Sequence, residues 1–187
     1  MKNQTVKVLL DTNVLIQTED NKRIKTTFAE LSKQSKEHSI QLYLHSGTIE
    51  DIQRDTDTER KEITLSKIKK YPLLENIPCP EKNELELLYG AINKDNDYID
   101  VQLLHALQIK AVGFLITEDN GIHTRAKKAG IENKVLFVSE AVDWFKQTYE
   151  PTPVTLPHVA SMKCYEVDLS QEIFQSLKKD YPIHQID

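Results

Sequence analysis

The segment Val6 to Leu10, ended by Asp11, constrains this chain more than any other stretch. It is too short for a helix, largely apolar and rich in branched side chains, which marks a buried strand. Similar short segments follow. Ile40, Leu42 and Leu44 alternate as a strand does, and Val112 to Ile116 and Val135 to Val138 read as two more strands.

Helical patterns lie between them. Lys22 to Lys36 carries a stripe of Ile24, Phe28 and Leu31. Ser46 is placed to cap a helix bearing Ile49 and Ile52. Thr56 and Glu59 have capping-box spacing and open a charged helix to about Lys70. Tyr71-Pro72 and Pro78-Cys79-Pro80 break the chain. Helices are then expected around Leu85, Leu88 and Ile92, and over Asp97 to Leu107. A short one carries Ile122, Ala126 and Ala129, closed by Gly130. Ser139 caps a last one with Val142 and Phe145, whose edge Trp144 covers. Strands alternating with helices predict an α/β fold, with a mainly parallel central sheet flanked by helices on both faces.

Composition narrows the function. With 187 residues and 39 % hydrophobic content, the chain suits one domain and an appendage. A net charge of −5 argues against gripping nucleic acid by charge alone. It does not argue against a metal-dependent nuclease, whose clustered carboxylates are acidic until metal fills them. Cys79 and Cys164 form no CxxC pair, so neither a disulfide framework nor structural zinc is expected. No apolar run has transmembrane length, and Met1 to Gln4 lead straight into the first strand. A cytoplasmic location is the expectation.

In open α/β sheets function gathers outside the carboxyl ends of the strands. Asp11 follows the first strand, and Asp119 follows Val112–Ile116 by three residues. Asp100 shares a helix face with Leu103, Leu104 and Leu107. A carboxylate on a buried stripe is costly without a partner, and a metal ion is the simplest one. The fourth acid lies in the first turn of the helix after Leu44. It is Asp51 or its neighbour Glu50, and the sequence leaves the choice open. Clustered carboxylates repel each other, and Mg²⁺ or Mn²⁺ relieves this because hard cations take oxygen ligands. Carboxylate-held divalent ions help water attack phosphorus and steady the leaving oxygen.

These residues carry a family resemblance. Val8-Leu9-Leu10-Asp11-Thr12-Asn13-Val14-Leu15 resembles the opening strand and turn of PIN domains. Asp51-Ile52 resembles the family's second acid. Asp100 with Leu103, Leu104 and Ala106 resembles the third, and Leu115-Ile116-Thr117-Glu118-Asp119 the fourth. The four motifs occur in order within residues 1–149. The resemblance implies a Rossmann-like PIN fold and a Mg²⁺- or Mn²⁺-dependent endoribonuclease acting on single-stranded or structured RNA. It implies that Asn13 ties the loop after the first strand, and that Thr117 orients Asp119 or touches the metal. PIN domains often pair, so it extends to a homodimer. The stretch Asp55 to Asn83 exceeds what a minimal PIN domain needs and reads as an added helix over the active face.

Pro151, Pro153 and Pro157 mark residues 150–160 as a linker. Residues 161–187 hold one strand-like segment near Cys164 to Val167 and one helix-like segment near Ser170 to Lys179, too little for a core. Asp168-Leu169-Ser170 through Tyr181-Pro182 is similar to the start of the acetyltransferase-like domain that follows PIN in some bacterial proteins. The expectation is a second domain of which this chain holds only the front part.

Each acid has an ordinary reading too. Asp11 can end a strand in a turn, Asp119 and Asp100 can serve helix starts, and Asp51 beside Glu50 can decorate one. His123 and Arg125 read first as solvated surface, with phosphate contact as the alternative because they follow Asp119 closely. His105 reads as a hydrogen-bonded helix residue. Lys127-Lys128 and Lys67, Lys69 and Lys70 are small basic runs. Tyr43, Tyr89 and Tyr98 read first as core edges, with base stacking as the alternative. Two other classes stay in view. One is a PIN-like module that no longer cuts and serves as an RNA-binding or protein-interaction platform. The other is phosphotransfer, ranked last because Asn13 stands where a dehalogenase-type phosphatase needs a second Asp.

Overall fold

Val8, Leu9 and Leu10 are completely buried, and they alternate between two cores. They belong to β1 (Lys7–Leu10), the central strand of the sheet. Around it stand β2 (Gln41–His45), β3 (Leu73–Leu74), β4 (Phe114–Ile116) and β5 (Val135–Leu136). The order is β3-β2-β1-β4-β5, and every pairing is parallel. Parallel strands need crossovers, and among the described residues eight helices flank the sheet. The fold is therefore α/β with a Rossmann-like arrangement. The computed structural model describes residues 6–19, 24–149, 163, 167, 168, 170 and 174.

The helices are α1 (Thr12–Glu19), α2 (Thr26–Glu37), α3 (Ser46–Gln53), α4 (Thr58–Ile68), α5 (Lys82–Tyr89), α6 (Asp95–Gln108), α7 (Asn120–Lys128) and α8 (Val138–Tyr149). One core joins Leu9 and Leu115 of the sheet to Leu85, Leu103, Leu104, Leu107 and Ile122. The other joins Leu10 and Ile116 to Leu15, Leu31, Ile52 and Phe145. A sheet covered on both faces explains why its strands read as apolar runs rather than alternating ones.

The structure departs from the sequence reading at several element ends. Helix α1 starts at once after Asp11 and was not expected. Its apolar stripe is short, and its nucleus comes from Asp11, whose carbonyl accepts from Val14 and Leu15 at 3.1 and 3.0 Å. Tyr71-Pro72 lies past the end of the preceding helix, yet the chain continues as a strand, with Leu73 and Leu74 paired to Leu44 and His45. Proline is tolerated there because β3 is an edge strand. His45, rather than Ser46, caps α3, its Nδ1 accepting from Gly47 N at 3.1 Å. Asp57, rather than Thr56, caps α4, accepting from Arg60 N at 3.0 Å. Helix α5 ends before Ile92 because Gly90 takes a φ of 98°. Val138 opens α8 instead of closing β5, since its N–H donates to Glu118 Oε1 at 2.9 Å. The α2 pattern begins at Thr26, not Lys22.

The chain divides into two compact units, residues 1–150 and 151–187. The expected linker at 150–160 lies outside the described residues, as does nearly all of the expected extension at 161–187. Of the second unit, Asp168 Oδ1 accepts from Ser170 N and Oγ at 2.9 and 2.6 Å, a local turn. Among the described residues no helix is long and apolar enough to cross a membrane.

Candidate metal centre

Chain connections leave β1 and β4 toward opposite sides of the sheet, because the order reverses between these neighbours. Such a switch point opens a crevice beyond the carboxyl ends of the strands. Asp11 sits at one lip and Thr117 to Asp119 at the other. The lips are sewn together: Asp11 N donates to Ile116 O at 3.0 Å, continuing the β1–β4 pairing.

Asp11 is nearly buried, at 6 % exposure. Its Oδ1 accepts from Thr12 N and its Oδ2 from Thr117 Oγ1, both at 2.6 Å. Thr117 is fully buried, and its Oγ1 also accepts from Asp119 N at 3.0 Å. One hydroxyl therefore sets the Asp11 side chain and the backbone of Asp119 together. Asp119 caps α7, with Oδ1 accepting from Gly121 N at 2.6 Å. A Cβ at Gly121 would stand 2.9 Å from that oxygen, so a larger residue there would make the Asp119 carboxylate shift.

Helices α3 and α6 bring the other two acids. Asp51 Oδ2 accepts from Thr12 Oγ1 at 3.1 Å. Its Oδ1 is buried without a hydrogen bond, although Arg54 Nη1 lies 3.8 Å away as an ion pair. Asp100 is half-buried on α6, and the charges of Asp11, Asp119 and Asp51 all act on its carboxyl. All four acids line one cavity of about 360 Å³. Asn13, Asn96 and Arg54 share its walls, together with Asp55 and Arg60. The last two bond to each other at 2.6 Å, and Arg60 holds the Asp55 carboxyl down at about 2.

The electrostatics follow from burial and crowding. Burial pushes Asp11 up to about 6, against the pull of its bonds from Thr117 and Thr12, and the charges of Asp119 and Asp51 push further. Burial also pushes Asp100 up to about 7, reinforced by Asp11 and Asp119 and partly offset by Arg125. Asp51 is raised by burial, with Thr12 and Arg54 opposing. An ionised cluster of this kind wants a cation. Among the described residues no three His, Cys, Asp or Glu side chains stand, as placed, in a finished ligand set. The residues nonetheless fit a hard divalent ion. The lining acids are all oxygen donors, and the Asp51 oxygen without a hydrogen bond is among them.

The other candidates fall in different places. Asp51 lines the acidic cavity, whereas Glu50 lines its neighbour, which separates the two rivals. Asn13 lies within α1, directly after β1, and its Oδ1 accepts from Glu118 N at 3.4 Å, which links that segment to the loop after β4. His123 is absent from the lining. It stacks on Phe137 at 3.8 Å and its Nε2 lies 3.3 Å from Thr117 O. Arg125 pairs with Asp97 at 3.5 Å and donates to Tyr89 O at 3.3 Å. His105 is buried on α6 and bonds to the backbone of Pro78. Sequence reasoning missed Thr12, Arg54 and Asn96. Two carried a readable signal: Arg54 lies three residues after Asp51 and Asn96 four before Asp100, each on the same helical face. No protein-family model, no curated protein and no solved structure matches this chain.

Proposed function

We propose that the chain is a metal-dependent endoribonuclease of the PIN type, hydrolysing RNA phosphodiester bonds at its acidic cavity. The observation that carries this reading is the meeting of Asp11, Asp51, Asp100 and Asp119, from four separate parts of the chain, around one cavity at the switch point of the sheet. Burying that much negative charge costs stability, and a structural role does not require it.

Asp11, Asp51, Asp100 and Asp119 would hold Mg²⁺ or Mn²⁺. When bound, the ion supplies a Lewis acid that eases deprotonation of water and balances charge on the phosphoryl oxygens. The protein's own groups do the rest. Thr117 fixes the Asp11 carboxylate, and Thr12 fixes that of Asp51. Asn13 and Asn96 offer amide donors to phosphate or to the ribose hydroxyl. Arg54 puts a lasting positive charge beside an otherwise acidic hollow. Self-association and a cytoplasmic setting belong to the same reading.

The test is incubation of labelled single-stranded RNA with Mn²⁺, with and without chelator, for wild type and Asp100→Asn. Cutting by wild type alone, lost in chelator, is the expected result. Equal cutting by both proteins sinks the assignment of Asp100. Binding of RNA or Mn²⁺ with no cutting under any condition favours the non-cutting platform.

A further inference from the structure

The acidic cavity opens beside a larger one. Arg54 stands in the walls of both, and the neighbour measures about 680 Å³. A third hollow of about 440 Å³ shares Cys79 and Gln102 with the second and reaches Leu73 and Leu74 of the edge strand. A small substrate needs one hollow, whereas a polymer needs a row of them leading away from the place of chemistry.

The second cavity differs from the first in its chemistry. Glu50, Glu81 and Asp95 are matched by Arg54, Lys82 and Lys94, so its charges balance. Ile92 and Ile99 are buried and supply an apolar floor. Among the described residues Tyr98 is the one aromatic side chain in the lining. Its hydroxyl lies 3.5 Å from Cys79 Sγ, and Gln102 Nε2 donates to the same sulfur at 3.5 Å. These contacts, with packing against the core, hold the ring in place before any ligand arrives. The volume lies within the usual range for small-ligand sites.

We propose that this second cavity seats one nucleobase of a single-stranded substrate, stacked on Tyr98, with Arg54 taking the phosphate between that nucleotide and the acidic cavity. The identity of the polymer rests on the ribonuclease reading above. An aromatic face takes any base, and a side-chain amide such as that of Asn93 adds hydrogen bonds to a base edge. Balanced charge suits a neutral base, just as concentrated acid suits a metal. Arg54 pairs only at 3.8 Å with Glu50 and Asp51, so a phosphate can replace those contacts with shorter, charge-assisted ones.

The exposed free thiol of Cys79 lies in this wall and supplies a footprint. In chelator, where no metal-dependent cutting occurs, a short single-stranded RNA is expected to slow alkylation of Cys79 at least about tenfold, read by peptide mass spectrometry. The same RNA with an abasic site at each position, and inorganic phosphate, leave the rate unchanged. Tyr98→Ser removes the protection and weakens RNA binding about tenfold or more, while Tyr98→Phe keeps both. Thermal unfolding of both variants checks that they fold. Protection by abasic RNA, no protection by intact RNA, or loss of protection in folded Tyr98→Phe overturns the stacked base. Unchanged binding by Tyr98→Ser, in a protein whose wild type cuts RNA with Mn²⁺, removes the base seat and leaves the nuclease standing. Tyr98-dependent protection in a protein that cuts nothing does the reverse.

Discussion

The acidic cavity and its neighbour share helices but not chemistry. Helix α3 sends Asp51 into one and Glu50 into the other. Helix α6 sends Asn96 and Asp100 into the first, and Asp95, Tyr98, Ile99 and Gln102 into the second. Successive residues on a helix point about 100° apart, so one helix can wall two hollows and keep their contents separate. The difference lies in support. In the acidic cavity Thr12 and Thr117 hold carboxylates that burial disfavours. In the neighbour Glu50 is exposed and pairs only loosely with Arg54. Charge is concentrated where buried hydroxyls maintain it, and balanced where solvent can reach.

The largest expected effect tests whether chemistry belongs to one cavity alone. Asp100→Asn should lower Mn²⁺-dependent RNA cleavage by about a thousandfold or more, through kcat. Tyr98→Ser should lower kcat/KM by about tenfold, chiefly through KM, because it removes binding rather than reaction. Steady-state cleavage assays on both variants decide the matter. Losses of equal size in kcat would dissolve the distinction between the two hollows.

A smaller effect tests the support itself. Thr117→Val removes the donor to Asp11 and the acceptor for the Asp119 N–H inside a fully buried position. Leaving those groups unpaired should cost about 2–3 kcal/mol in urea unfolding. Cys79→Ser, in the wall of the second cavity, alters an exposed position and should stay within about 0.5 kcal/mol. A Thr117→Val protein as stable as wild type would show that Asp11 needs no help from that hydroxyl.

How much of this was legible in the sequence depends on the range of the forces involved. The α/β order was readable because apolar periodicity records burial, and burial on both faces leaves strands such as Val8 to Leu10 unbroken. The ends of elements were less so. His45 and Asp57 cap their helices one residue away from Ser46 and Thr56, and Glu118 accepts from the start of α8 across 20 residues of sequence. At the site, Asp11 and Asp119 could be found because each follows a strand, and Asp100 because it lies on an apolar face. Asp51 could not be separated from Glu50, since the choice depends on Thr12, which is 39 residues away in sequence. His123 and Arg125 stood near Asp119 in sequence, but Phe137, Asp97 and Tyr89 claim them. The second cavity left no motif, because its walls come from α3, α5, α6 and the loops before α5 and α6.

The smallest effect concerns pH, and it reads what burial and crowding together cost Asp100. Asp11 and Asp100 titrate near 6 and 7 in the folded protein, against a usual value of 3.8. Between about pH 4 and 7 the folded chain therefore keeps protons that the unfolded chain releases. The stability these groups allow at low pH is lost as pH rises through that window, and the curve flattens above it. His45 and His105, both lowered by burial, pull the other way, because unfolding lets them take up protons. They are common to wild type and Asp100→Asn, so subtracting the two curves isolates Asp100. In chelator, Asp100→Asn should gain about 1–2 kcal/mol on wild type between pH 5 and pH 8, a figure reduced for the solvent that half-buried Asp100 still meets. Saturating Mn²⁺ at pH 8 should erase the gain, because wild type then exchanges repulsion for attraction and the variant has one ligand fewer. Parallel urea curves for the two proteins at both pH values would mean that neither burial nor the neighbouring carboxylates raise Asp100. The contrast between a crowded cavity and a balanced one would then be a matter of shape alone.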